Sequence, residues 1–168
     1  ELLDWLARER GLSFASYDAM WRWSVSDLEA FWRSIWDYFC LQSPSPHTAV
    51  LAHDRMPGAQ WFPGTQLNYA REVLRHAASA DAAGVPALVF RNERLQALGQ
   101  TETIGWSELM TQAHALAGAL RSMGVAPGDR VAAYLPNIPQ AVIGFLACAS
   151  IGAVWSLCAT DMGVGTVR

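Results

Sequence analysis

The stretch "GVAPGDRVAAYLPNIPQAVIGFLACASIGAVWSLC", residues 124–158, decides the fold of this protein. After a Pro-Gly turn it shows a strand pattern in "RVAAYLPN" (130–137), a helical pattern in "PQAVIGFLACASIG" (139–152) and strand character in "AVWSLC" (153–158). A strand, a helix and a strand joined by short links form a βαβ unit, and the two strands of such a unit are parallel. We therefore predict an α/β fold class with a parallel sheet.

The helix of this unit is so apolar that a membrane span must also be considered. The run 141–159 carries no charge and is long enough to cross a bilayer. However, Gly152 stands where a helix should end, and a strand pattern follows it. Gly144, Cys148 and Gly152 also place small side chains on one helix face, as close packing on a sheet requires. We predict a buried helix and strand, and no membrane partner.

Further elements precede the βαβ unit. The sequence predicts a helix in 65–80, a strand in 86–93 with 101–106 as its hairpin partner, and a helix in 106–124. In the last of these helices, one face is apolar, and Gly124 is of the residue type that commonly ends a helix. That face comprises Leu109, Ala113, Leu116, Ala117 and Leu120.

The first third of the chain is helical in pattern and rich in tryptophan. Ser26 and Glu29 have the spacing of a capping box, and large apolar residues then recur at helical spacing as far as Phe39. Several tryptophans here resemble a ligand cage, but a small helical cap packed on a larger body is the better interpretation. The Pro/Ser segment "LQSPSPH" (41–47) is the best candidate connector.

Composition excludes several classes of function. The 168 residues are 52% hydrophobic with a net charge of −3, which does not suit a nucleic-acid partner. All 12 positively charged residues are arginine, so a Walker-type phosphate loop and a Schiff-base lysine are excluded within this stretch. Cys40, Cys148 and Cys158 lie far apart in apolar surroundings. They predict buried thiols in a reducing cytoplasm and no metal site.

Asp161 is the most suggestive carboxylate. It follows the second strand of the βαβ unit, and ligands of parallel sheets bind at the carboxyl ends of strands. The alternative is that Asp161 caps the next helix.

Three segments resemble a known family. Residues 124–156 resemble the N-terminal part of the acyl-adenylating superfamily. The shared pattern is G-V, then G-D-R-V, a strand, a proline-bearing turn and a helix ending in G-A-V. "WFPGTQLNYAREVLRH" (61–76) is similar to the branch that contains acetyl-CoA and acetoacetyl-CoA synthetases. "WSLCATDMGV" (155–164) is similar to the C-x-x-D-x-G-V of acetoacetyl-CoA synthetases. Acetyl-CoA synthetases usually have histidine at the place of Trp155 and Phe-Gly-Gly at 159–161.

The resemblance implies a domain organisation. Residues 1–60 would be a Trp-rich helical extension, and residues 61–168 would be the first, incomplete part of an AMP-forming adenylating domain. Trp61 and Phe62 would anchor the extension, and Pro63-Gly64 would turn the chain into the first core helix. The partners implied are the rest of that domain and a C-terminal domain of the same chain.

The resemblance also implies an activity. The parent enzyme would be an acid–thiol ligase of lipid metabolism that joins acetoacetate to coenzyme A, using ATP and Mg²⁺. No catalytic residue is expected within this stretch, because the family's phosphate loop and catalytic lysine are absent from it. Ala159, Thr160 and Asp161 would face coenzyme A. An acetyl- or propionyl-CoA synthetase, or a non-catalytic helical docking module, remain alternatives.

Overall fold

The computed structural model describes residues 1–167, which form two compact units, Glu1–Leu67 and the chain from Asn68 onward. The first unit contains three helices and a short hairpin. Its elements are α1 (Leu2–Arg10), α2 (Tyr17–Ser26), α3 (Leu28–Tyr38), β1 (Leu51–His53) and β2 (Gln60–Trp61). The two strands pair antiparallel. The division of the chain at residues 60 and 61 stays a prediction.

The start of α3 differs from the predicted capping box. Asp27 is the N-cap, and its carboxylate accepts a hydrogen bond of 3.1 Å from the backbone amide of Ala30. Ser26 instead ends α2, and its hydroxyl donates to the carbonyl of Trp23. Aspartate and serine are comparable N-caps, so the position next to the apolar run determined which one is used.

The aromatic residues of the first unit pack on one another. The ring of Trp36 lies 4.7 Å from that of Phe62, and the ring of Trp32 lies 5.6 Å from that of Trp61. His47 is 5.5 Å from Trp36. Trp61 and Phe62 thus contact α3 within this unit, and their role in anchoring the extension onto the adenylating domain stays a prediction. The tryptophans serve as packing surface within this unit, in the edge and tilted arrangements that aromatic pairs prefer.

The second unit has the alternating order that the sequence predicts. Its elements are α4 (Tyr69–Leu74), α5 (Ala77–Ala82), β3 (Leu88–Phe90), α6 (Glu93–Ala97), β4 (Glu102–Ile104), α7 (Trp106–Ser122), β5 (Arg130–Tyr134), α8 (Pro139–Ile151), β6 (Val154–Cys158) and α9 (Val164–Val167). Strands β3 and β4 form the predicted antiparallel hairpin. Their connection contains α6, a short helix that we did not predict and that Asn92 caps through the amide of Leu95.

The predicted βαβ unit is confirmed. β5 and β6 are parallel, in a register that pairs Arg130 with Val154 and Tyr134 with Cys158. Helix α8 begins at Pro139, whose fixed φ suits the first helical position, and its C-cap is Gly152 with φ 76°. No helix within residues 1–167 is both long enough and apolar enough to span a bilayer.

The face of α8 that carries small residues packs closely on the sheet, as predicted. A Cβ atom built on Gly144 would lie 2.7 Å from Cη2 of Trp155 on β6, which is closer than side chains approach. The absence of a side chain at Gly144 therefore admits the indole of Trp155. Cys148 is fully buried on the same helix, and this burial raises the pKa of its thiol.

The core of the second unit lies mainly between α7 and α8. The buried residues of α7 are four of the five predicted ones, and those of α8 include Ile143, Leu146, Ala147 and Ile151. The buried set on α7 is Leu109, Ala113, Ala117 and Leu120.

The helix predicted in 65–80 is divided. α4 ends at Leu74 and α5 begins at Ala77, with Ala70 and Ala77 buried and Leu67 exposed. Asn68 caps α4 through the amide of Arg71, and its side-chain amide donates to the carbonyl of Ala149 at 2.8 Å. One side chain thus fixes the start of α4 and satisfies a carbonyl in the last turn of α8. The predicted helix therefore starts at Tyr69 and is interrupted between Leu74 and Ala77.

The prediction that all three thiols are buried is wrong for two of them. Cys148 is buried, Cys158 is partly buried and Cys40 is exposed. Cys40 has φ 49° directly after α3, because the chain turns there into the Pro/Ser connector.

Asp81 caps α7 from a different helix. The N-cap of α7 is Gly105, which has no side chain to accept a hydrogen bond. The carboxylate of Asp81, on α5, accepts from the amides of Trp106 at 2.9 Å and Ser107 at 3.0 Å, and also from the Ser107 hydroxyl. The bond from the Ser107 hydroxyl, followed by those from the two amides, lowers the pKa of Asp81.

This cap predicts a pH dependence of stability. Because the pKa of Asp81 is lowered in the folded protein, its carboxylate stabilises the fold at pH values above the ordinary pKa of aspartate. This stabilisation is lost as the pH falls through the lowered pKa, below about pH 4. We expect Asp81→Asn to lower the thermal midpoint at neutral pH and to differ less from the parent protein in acid. Thermal unfolding of both proteins across pH measures this. A difference that is constant down to acid pH would contradict a contribution from the charge of the Asp81 carboxylate.

Candidate functional site

The candidate site lies at the carboxyl edge of the parallel pair, which we define as the ends of β5 and β6 with the loops that follow them. Tyr134 and Cys158 are partners at this edge, and the amide of Leu135 continues the ladder by donating to the carbonyl of Cys158 at 3.1 Å. Backbone groups beyond the last ladder bond are free to meet ligands, which is why open α/β sheets bind at this edge.

The predicted site residues form a β-turn at this edge. The amide of Met162 donates to the carbonyl of Ala159 at 3.1 Å, which closes a turn with Thr160 and Asp161 at its centre. We call residues 159–162 the edge turn. Thr160 and Asp161 are exposed and Ala159 is partly buried, so the turn presents its central residues to solvent.

The alternative role of Asp161 as a cap of α9, which begins at Val164, has no support among residues 1–165, from which its carboxylate accepts no hydrogen bond. The carboxylate lies at the exposed centre of the edge turn, where it gives the site a negative charge.

Tyr134 also belongs to this site, although no sequence motif pointed to it. Its hydroxyl lies 2.8 Å from the carbonyl oxygen of Thr160 and 3.2 Å from that of Met162, so it connects the end of β5 to the edge turn after β6. No sequence signal marked this contact, because the predicted strand pattern continues past residue 134 to residue 137.

Two concave surfaces lie elsewhere in the second unit. One, of about 490 Å³, lies between α4 and α7 and includes Arg71, Arg75 and His114. The other, of about 270 Å³, lies between β3 and the start of α8 and includes Arg91 and Asn137. Neither includes a residue that the sequence analysis had selected.

The sequence contains no lysine, since all 12 of its positively charged residues are arginine. Within residues 1–167 no group of three or more His, Cys, Asp or Glu side chains is arranged to hold a metal ion.

Sequence profiles of two families match the chain. The profile described as AMP-binding enzyme matches residues 74–168, and the profile described as acetyl-coenzyme A synthetase N-terminus matches residues 17–73. The first of these covers more than half of the chain.

Curated and solved relatives are similar over almost the whole chain. An acetoacetyl-coenzyme A synthetase from Rhizobium meliloti is 41% identical over 97% of this chain and 24% of its own length. An acetoacetyl-CoA synthetase from Xenopus tropicalis is 37% identical over 95% of this chain and 23% of its own. The solved acetoacetyl-CoA synthetase from Streptomyces lividans superposes with a TM-score of 0.88 at 42% identity, over 99% of this chain and 25% of that one.

The chain thus spans about a quarter of the length of these relatives. The similarity extends through both compact units, from the helices of the first to the parallel strands and edge turn of the second. With the profile match over residues 74–168, it shows that this chain belongs to the AMP-binding enzyme family.

Proposed function

We propose that this chain is the N-terminal part of an AMP-forming ligase that joins acetoacetate to coenzyme A. The observation that carries the proposal is the likeness to the Streptomyces lividans acetoacetyl-CoA synthetase over 99% of this chain. Residues 1–60 act as a helical extension, and residues 61–168 as the first part of the adenylating domain. The rest of that domain and a C-terminal domain complete the enzyme, which acts in the cytoplasm.

The reaction proceeds in two steps. The acetoacetate carboxylate attacks the α-phosphorus of ATP and gives an acyl-adenylate and pyrophosphate. The thiol of coenzyme A then attacks the acyl carbon, forming the thioester, and AMP leaves while the thiol proton is released. Adenylation converts a poor leaving group into a good one, and the protein contributes positioning and charge stabilisation.

Residues 1–168 contribute binding surface to this reaction. Without a lysine, this part does not supply the lysine-dependent phosphate contacts. Residues outside this stretch provide those contacts.

Ala159, Thr160 and Asp161 meet coenzyme A in this proposal. The position of all three at the carboxyl edge, and the exposure of Thr160 and Asp161, support the assignment. The negative charge of Asp161 disfavours close contact with the phosphates of coenzyme A, since like charges repel. The edge turn therefore meets the adenine end of the ligand.

The test is a substrate-dependent pyrophosphate exchange assay on the full-length enzyme. Acetoacetate should support exchange of label between pyrophosphate and ATP far better than acetate or propionate. Formation of acetoacetyl-CoA with AMP, in equal amounts, should follow on addition of coenzyme A. A preference for acetate or propionate would overturn the assigned substrate, and absence of exchange with all three acids would overturn the enzyme class.

A further prediction concerns the isolated residues 1–168. We expect no acyl-CoA synthetase activity and no tight nucleotide binding, because the phosphate contacts lie elsewhere. Isothermal titration with ATP and Mg²⁺ measures this, with the full-length enzyme as the positive control. A micromolar dissociation constant for the isolated chain would contradict the prediction.

A further inference from the structure

We propose that Tyr134 is a positioning residue for the second half-reaction, and that its hydroxyl holds the edge turn in the orientation that receives coenzyme A. The inference rests on the proposed function for the identity of the ligand. The contact between Tyr134 and the turn is independent of it.

The hydroxyl of Tyr134 has a single proton to donate. The distance of 2.8 Å to the carbonyl of Thr160 is that of a good O–H···O bond, and the 3.2 Å to the carbonyl of Met162 is weaker. The main bond is therefore to Thr160, at the centre of the turn. The turn itself is closed by one backbone bond, from Met162 to Ala159.

The tyrosine side chain starts from a fixed backbone. Tyr134 is the last residue of β5 and is paired with Cys158. Tyr134 is 51% exposed, so it contributes little to the apolar core. The hydroxyl thus connects the fixed end of one strand to the loop that follows the neighbouring strand.

This bond sets the direction of the backbone donors of the turn. In a trans peptide the carbonyl and the following amide point in opposite directions. When the carbonyl of Thr160 points toward the Tyr134 hydroxyl, the amide of Asp161 points away from it. That amide is then a donor for the acceptor atoms of an adenine ring, beside the carboxylate of Asp161.

The test compares Tyr134→Phe with the parent full-length enzyme in the two half-reactions. Acetoacetate-dependent pyrophosphate exchange does not involve coenzyme A, and its kcat and its KM for ATP should remain within about twofold. The KM for coenzyme A in thioester formation should rise about tenfold, the effect of losing one well-placed hydrogen bond. Tyr17→Phe is the matched control, since Tyr17 is 75% exposed on α2 and should change neither quantity.

A second measurement does not depend on activity. Hydrogen–deuterium exchange of a peptide spanning 159–165, in the enzyme without ligand, should be faster in Tyr134→Phe than in the parent or in Tyr17→Phe. An unchanged KM for coenzyme A would overturn the positioning role, and so would an equal loss in both half-reactions. If the parent enzyme shows no acetoacetate-dependent exchange of pyrophosphate, the proposed function fails. Unchanged deuterium uptake in the peptide would overturn the contact with the turn.

Discussion

Replacing Gly144 with alanine should destabilise the packing of α8 on β6 by about 1–3 kcal/mol, the usual cost of overpacking a core. The new Cβ would lie 2.7 Å from Cη2 and 3.2 Å from Cζ3 of Trp155. Because the indole is rigid, the ring and the strand that carries it must move together. Hydrogen exchange of the α8 amides in the full-length enzyme measures the local loss of stability.

The chain offers a matched control and a rescue for this experiment. Gly118 also lies inside a helix, but a Cβ built there meets nothing within 4 Å. Gly118→Ala should therefore stabilise α7 by up to about 1 kcal/mol, the difference in helix propensity. Adding Trp155→Phe to Gly144→Ala should recover part of the loss, because the shorter ring removes the atoms in conflict. Equal effects at both glycines would show that the close approach is not the cause.

Replacing Trp36 with alanine should cost about 3 kcal/mol, the lower end of the range for truncating a large aromatic side chain. Trp36 is partly buried, and its ring contacts both Phe62 and His47. Its loss would open the contact between α3 and the segment after β2. Hydrogen exchange in α3 and thermal unfolding of the full-length enzyme check this, while the KM for ATP should remain unchanged.

Substitutions of two other tryptophans provide comparisons for Trp36→Ala. Trp61→Ala should cost less than Trp36→Ala, because Trp61 is 39% exposed. Trp21, which is 50% exposed on α2, should tolerate alanine within about 0.5 kcal/mol. A substrate-kinetic change at Trp36 without a loss of stability would contradict its packing role.

The sequence by itself determined the order and type of most elements. The βαβ unit, the β3–β4 hairpin and helix α7 were predictable because hydrophobic period and turn residues are properties of neighbouring positions. The family was recognisable for the same reason, since its motifs are short and contiguous. The position of residues 159–161 at a strand end also followed from the order of elements.

Only the tertiary structure decided which distant groups meet. Asp81 caps a helix that begins 25 residues later, Asn68 bonds to a carbonyl 81 residues away, and Tyr134 reaches a carbonyl 26 residues away. In each case a side chain forms a hydrogen bond with a backbone group of a distant segment. The choice of partner depends on how the packed elements bring these groups together. A pattern of neighbouring residues carries no information about that distance, so the place of residues 159–161 after a strand was predictable and their contact with Tyr134 was not.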